Sequence, residues 1–229
     1  MDTAQKDNRP IGIFDSGIGG LSVLESCRAI LPYENFIYLA DNGFAPYGDK
    51  CDDYIRERVF CLSECLIARG VKAIVVACNT ATNVGIKMLR ERYKIPFVGL
   101  EPAIKPARVV DGKTVLLCTP ATARQEKFLQ LVERYGTEHL IIAPQPNLAT
   151  IIENCYPNID LARCEIYKTL NPYADAKAII LGCTHYVLVK DIILDFYNHK
   201  NPIFDGNEGA SKRLKELLSS YNATNGCIV

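Results

Sequence analysis

The chain has 229 residues, 48% hydrophobic and 23% charged, with 26 basic residues balanced by 26 acidic ones. A formal charge of zero without a basic run excludes a phosphate backbone as the main partner, and no apolar stretch approaches the length of a membrane span. The length suffices for one large domain or two lobes; with no apolar leader at Met1–Pro10, the ten cysteines read as reduced thiols of a cytoplasmic protein rather than a disulfide framework.

The first predicted strand, Ile11 to Phe14, runs into Asp15-Ser16-Gly17-Ile18-Gly19-Gly20 and then a helix over 20–31. Gly17-Ile18-Gly19 resembles the start of a dinucleotide fingerprint, and Asp41 lies where a ribose-binding acid belongs. However, Ser22 replaces the third glycine, and Asp15 would repel a pyrophosphate. The better reading is a helix start whose free N–H groups hold a carboxylate, with Asp15 and Ser16 pointing into a cleft. A second strand, Phe36 to Ala40, ends in the loop Asp41 to Asp49, where Pro46, Tyr47 and Gly48 offer backbone donors to an anion. The helix over 50–69 carries the apolar stripe Ile55, Val59, Leu62 and Leu66. Cys61 and Cys65 beside that stripe read as small buried hydrophobes rather than metal ligands, as do Cys27, Cys51, Cys155, Cys164 and Cys227.

The third strand, Ala73 to Ala77, stops at Cys78-Asn79-Thr80 and is followed by a helix over 81–93. After Phe97 to Leu100 the pattern starts again. Thr114 to Leu117 leads to a helix cap at Thr119-Pro120-Ala121-Thr122 and a helix over 121–135, followed by His139 to Ala143. An apolar helix-like run then ends at Glu153. Ala178 to Leu181 stops at Cys183-Thr184-His185, and Pro202 to Phe204 precedes a last helix over 208–221. Short Ile/Val/Leu runs alternating with amphipathic stretches define an α/β chain of mostly parallel, doubly covered strands. The likeness of the two cysteine strands divides it into two related lobes, 10–101 plus 204–229 and 102–203. In such sheets ligands bind at the carboxyl ends of the strands, so Cys78 and Cys183 face one small substrate from opposite sides. His185 stands two residues from a strand-end cysteine and is therefore read as functional.

Several ordered motifs agree with this reading: Phe-Asp-Ser-Gly-x-Gly-Gly-Leu at 14–21, Pro-Tyr-Gly at 46–48, Val-Ala-Cys-Asn-Thr-Ala at 76–81, Thr-Pro-Ala-Thr at 119–122 and Leu-Gly-Cys-Thr-His-Tyr at 181–186. Through them the chain resembles, from about Ile11 to Asp205, the glutamate racemase branch of the aspartate/glutamate racemase superfamily. The resemblance implies an α/β fold of two pseudo-symmetric lobes with the active site between them. It further implies a cofactor-independent enzyme that interconverts L- and D-glutamate for peptidoglycan synthesis, often as a homodimer. Cys78 and Cys183 would be the acid/base thiols, with Asp15 assisting the first and His185 the second, and Glu153 would match a further family acid. Ser16, Asp41, Pro46, Tyr47, Gly48, Asn79, Thr80, Thr119, Thr122 and Thr184 would hold the substrate. Two alternatives stay open: a racemase of another acidic amino acid such as aspartate, and a related protein that binds the ligand without turnover. A superfamily decarboxylase is disfavoured because both cysteines are present. Asp41-Asn42-Gly43-Phe44 departs from the family pattern by setting an aromatic ring where a polar or basic group is expected to line the cleft, and Val187 replaces a proline.

Overall fold

The computed structural model describes residues 7–225; Met1 to Lys6 and the last four residues, Cys227 among them, lie outside. The first half alternates strictly. Strand β1 (Ile11–Asp15) leads to α1 (Leu21–Ile30), β2 (Phe36–Ala40) to α2 (Asp52–Ile67), β3 (Ala73–Val76) to α3 (Asn79–Arg92), and β4 (Phe97–Gly99) ends the series. The second half repeats the plan: α4 (Ile104–Ala107), β5 (Thr114–Cys118), α5 (Pro120–Arg124), α6 (Glu126–Tyr135), β6 (Leu140–Pro144), α7 (Leu148–Cys155), α8 (Arg163–Leu170), β7 (Ala178–Leu181), α9 (Thr184–Leu188), α10 (Lys190–Phe196) and β8 (Ile203–Asp205). A final helix, α11 (Asn207–Asn225), follows.

The strands form two parallel four-stranded sheets, ordered β2-β1-β3-β4 and β6-β5-β7-β8. Their registers coincide: Ile11 pairs with Ala73 as Thr114 pairs with Ala178, and Asp15 ends β1 where Cys118 ends β5. The flanking bonds repeat as well. Asp41 N–H donates to Asp15 C=O at 3.0 Å and Gln145 N–H to Cys118 C=O at 2.7 Å; Ala77 N–H reaches Phe14 C=O as Gly182 N–H reaches Leu117 C=O. Cys78 and Cys183 therefore occupy the same place in two copies of one fold.

Every residue of β1, β3, β5 and β7 is buried, because each central strand has a helix layer on both faces. In the first sheet, Phe14, Ile74 and Val76 pack under Ile55, Val59 and Leu66 of α2 and Ile86 and Leu89 of α3. The alternate residues Ile11, Ile13, Ala73 and Val75 face Val23 and Cys27 of α1 and Leu214 and Leu218 of α11. In the second sheet, Val115, Leu117, Ile179 and Leu181 meet α7, α8, α9 and α10, while Leu116 and Ile180 meet Ile104 and Phe128. β8 pairs with β7 through Asp205, and α11 then packs on the first sheet through Leu214 and Leu218. There Ser211 on α11 bonds Ser26 at 3.0 Å and contacts Cys27 Sγ at 3.3 Å. Cys27 is buried as expected, but Cys51, Cys61 and Cys164 are exposed, because they sit on the outer faces of their segments. No helix among the described residues is long and apolar enough to cross a membrane.

Candidate active site

In each sheet the chain crosses one way from the first strand and then the other, so a crevice opens at the carboxyl ends of β1 and β3, and again of β5 and β7. The residues ending those strands supply the site. Cys78 and Cys183 are the N-cap residues of α3 and α9. Cys78 Sγ accepts from Ala81 N–H at 3.4 Å, a place usually held by Ser, Thr or Asp.

Asp15 is fully buried at the end of β1. Its Oδ2 accepts from Gly20 N–H at 2.7 Å and from the Thr184 hydroxyl of the other lobe at 3.2 Å, while Oδ1 has no hydrogen-bond partner. Burial pushes its carboxyl up, against the opposing pull of the His185 charge and the Gly20 bond. Burial likewise raises the Cys78 thiol well above its usual range; the Asp15 charge and, further, the Cys183 charge add to this, while the Ser16 hydroxyl and Ala81 N–H oppose it. Cys78 thus lies within electrostatic reach of both Asp15 and Cys183.

On the other side, His185 Nδ1 lies 3.8 Å from Cys183 Sγ and Nε2 lies 2.5 Å from Glu153 Oε2. Burial lowers the imidazole's proton affinity, but its bonds to Cys183 and Glu153 outweigh this and raise it to about 10. Burial also works against ionisation of Glu153, yet the His185 bond and charge hold its carboxyl below the usual range. The same Glu153 oxygen accepts from Ile18 N–H of the first lobe at 3.1 Å. The glycine turn that was expected to hold a free carboxylate is therefore occupied by two of the chain's own, Asp15 on Gly20 and Glu153 on Ile18. A Cβ on Gly19 would lie 2.5 Å from Thr184 Oγ1 and 2.7 Å from His185 N, so glycine there permits the close approach of the lobes.

Thr80, Thr119 and Thr122 form a buried triangle of hydroxyls with edges of 3.0, 3.1 and 3.0 Å, again across the two lobes. Thr119 caps α5 through Thr122 N–H at 3.1 Å, with Pro120 opening the helix. Asn79 donates to Leu100 C=O at 3.3 Å and leaves its buried Oδ1 unpartnered. Gly48 C=O accepts from Ala121 N–H at 3.1 Å, which sets the Pro46-Tyr47-Gly48 loop against the start of α5.

Two expectations change. The Asp41 carboxylate is fully engaged by the Arg58 guanidinium and the Tyr47 hydroxyl, so it anchors the loop rather than facing a substrate. The Phe44 ring, expected as a wall of the cleft, packs instead on the Arg58 guanidinium at 3.4 Å and is 43% exposed. Three residues were passed over in the sequence. Tyr38 donates to Gly17 C=O at 2.6 Å and buttresses the glycine turn. Buried Cys118, whose thiol burial and the Cys183 charge push up to about 12, takes the place that Asp15 has in the first lobe. Arg58 is the third. None of them carries a local motif; alignment of the two halves on the cysteine strands would have picked out Cys118.

Residues 21–213 match the family model described as Asp/Glu/Hydantoin racemase. A glutamate racemase of Clostridium perfringens (strain SM101 / Type A) is 45% identical, the match covering 94% of this chain and 85% of that protein. Among solved structures, Escherichia coli glutamate racemase in complex with L-glutamate and the activator UDP-MurNAc-Ala superposes with a TM-score of 0.85 at 32% identity, covering 92% of this chain and 83% of that one. A Bacillus anthracis glutamate racemase gives 0.82 at 30% identity, over 94% and 84%. With its paired sheets and a cysteine at the matching strand end of each, the chain belongs to the Asp/Glu/Hydantoin racemase family, in its glutamate racemase branch, and is an amino-acid racemase.

Proposed function

We propose that the protein interconverts L- and D-glutamate without a cofactor, using Cys78 and Cys183 as the two acid/base groups on opposite faces of the α-carbon. The observation that carries this is the matching position of the two thiols: each stands at the N-cap position of a helix at the end of a central strand, and the lobes meet around them through Asp15–Thr184 and the threonine triangle. A base alone does not remove an amino acid's α-hydrogen at neutral pH. Positioned proton transfer contributes roughly 10²- to 10⁴-fold, or about 3–5 kcal/mol. The remainder comes from groups fixed beforehand around the substrate. Asp15 Oδ1 and Asn79 Oδ1, both buried and unpartnered, offer what an ammonium group needs. The Ser16, Thr80, Thr119 and Thr122 hydroxyls and the loop at Tyr47 and Gly48 suit the carboxylates.

In one direction the Cys183 thiolate takes the α-proton while the Cys78 thiol delivers its own to the opposite face; the reverse direction exchanges the roles. His185, with Glu153 behind it, supplies the positive charge that answers a thiolate on Cys183. Asp15 is the corresponding group for Cys78, holding it as the thiol until its proton is drawn to the substrate. D-glutamate is the product a peptidoglycan-building cell uses, and a homodimer is the assembly proposed. The direct test is incubation of D-glutamate in deuterated water, following α-deuteration and optical rotation. Exchange accompanied by loss of rotation is expected, and the absence of exchange with glutamate overturns the reading.

A further inference from the structure

Arg58, in the second turn of α2, lies outside every motif above, yet its guanidinium is held by both Asp41 and Phe44. Its Nε and Nη2 donate to the two oxygens of Asp41 at 2.9 and 2.7 Å. The Phe44 ring covers the same guanidinium with its centroid at 3.4 Å, and the Tyr47 hydroxyl donates to Asp41 Oδ2 from the far side. The pair is largely withdrawn from water, with side-chain exposures of 17% for Arg58 and 6% for Asp41. A planar fork that makes two parallel bonds and stacks on a ring is a geometry lysine cannot reproduce.

The pair joins elements that matter to the site. Asp41 begins the loop and donates its N–H to Asp15 C=O at 3.0 Å. The loop ends at Tyr47, which is 1% exposed, and at Gly48, whose carbonyl accepts from Ala121 at the start of α5. A Cβ on Gly48 would come within 3.3 Å of the Thr119 side chain, so the loop's far end rests against the threonine triangle. Resting on the racemase reading above, we infer that Arg58 is a positioning residue: through Asp41 and Phe44 it holds residues 41–48 in the shape that presents Tyr47 and Gly48 to the substrate, without touching the substrate itself. The aromatic residue at position 44 is then the guanidinium's cover and not a wall of the cleft.

A residue acting in this way sets binding more than chemistry. Arg58→Ala is expected to raise KM for D-glutamate by about tenfold, with kcat within about threefold, the scale of a charge-assisted bond lost at a partly buried site. Arg58→Lys should not restore KM, whereas guanidinium ion added at millimolar concentration should restore it in Arg58→Ala. Asp41→Asn should give the same rise, and the double variant should be no worse than Asp41→Asn alone, since both act on one element. Should Arg58→Ala fail to fold, Arg58→Gln carries the same test with more of the stem retained. Hydrogen exchange of the 41–48 peptide reads the claim independently of turnover: it should accelerate in the Arg58 variant while peptides from β1 and β3 keep their protection. If the wild type does not turn over, the racemase reading falls and this exchange measurement still decides the role of Arg58. An unchanged KM in an active enzyme, multiplicative effects of the two variants, or unchanged exchange at 41–48 each overturns the inference.

Discussion

In the proposed two-thiol scheme, a proton arriving on Cys183 lands beside a cation fixed from behind by Glu153, whereas one arriving on Cys78 lands beside a buried carboxylate. The two thiols should therefore be equally necessary, and titration of their neighbours should have different effects. Cys78→Ser and Cys183→Ser are each expected to lower glutamate racemisation by at least about 10³-fold, since each face needs its own acid/base group; near-wild-type rates in either variant overturn the two-base scheme. His185 has a folded-state value of about 10, above the 6.5 of a free imidazole. The stability it contributes is fully present below about pH 6.5 and is lost as pH rises through about 10. Glu153→Gln removes the counter-charge. The basic limb of the kcat/KM profile should then move toward neutrality, and the variant's stability deficit at pH 7 should shrink by pH 10; an unmoved limb would detach His185 from Glu153. Asp15 has the same sign at a lower pH. Burial raises its carboxyl above the ordinary 3.8, so the stability it contributes is fully present below about pH 3.8 and is lost as pH rises from there through the folded value. In melting experiments, Asp15→Asn should gain on the wild type as pH rises above about 4, while losing activity. A gap independent of pH would mean that Asp15 ionises in the folded protein as it does in the unfolded chain, so that burial does not raise its carboxyl.

At the scale of elements, all eight strands and both strand-end cysteines were legible, because a parallel strand buried on both faces leaves an unbroken apolar run that ends where the chain turns polar. The helices of the second lobe were harder to read. α7 was visible only as an apolar run ending at Glu153, and α8, α9 and α10 were not read at all. They are short, from five to eight residues, and two of them follow directly on Cys183, so no long periodic stretch announces them. Tyr186, Val189, Ile192 and Ile193 do bury a common face, but it becomes visible only once the strand before them is fixed. The glycine turn was found and its use mistaken, because local sequence cannot reveal that carboxylates 5 and 135 residues away occupy its N–H groups. Its real constraint is steric. Gly19→Ala should cost about 1–3 kcal/mol of overpacking against Thr184 and His185 and lower activity accordingly, because the atoms in the way include the backbone N of His185. A fully active Gly19→Ala enzyme would show that the turn is free to shift away from the second lobe.

Across the whole molecule, the groups proposed to react are enclosed. Cys78 is 6% exposed, Cys183 7%, His185 5% and Asp15 not at all, and the lobes are joined over them by Thr184–Asp15, Ile18–Glu153, Ala121–Gly48 and the threonine triangle. A closed, dry site strengthens the electrostatic contacts needed to stabilise a carbanion, but glutamate must enter and leave it. These interlobe bonds are a few polar contacts between two separately cored sheets, so opening means breaking them while leaving both cores intact. Thiol alkylation followed by mass spectrometry reads this motion. Exposed Cys51, Cys61 and Cys164 should react at the rate of free thiols, and Cys78 and Cys183 more slowly, at a rate set by opening. Glu153→Gln, which weakens the Ile18 bond between lobes, should speed alkylation at both buried positions, and D-glutamate should slow it in wild type and variant alike. Equal rates at all five cysteines would mean that the lobes do not close in solution, and the geometry of the closed site would then not describe the resting enzyme.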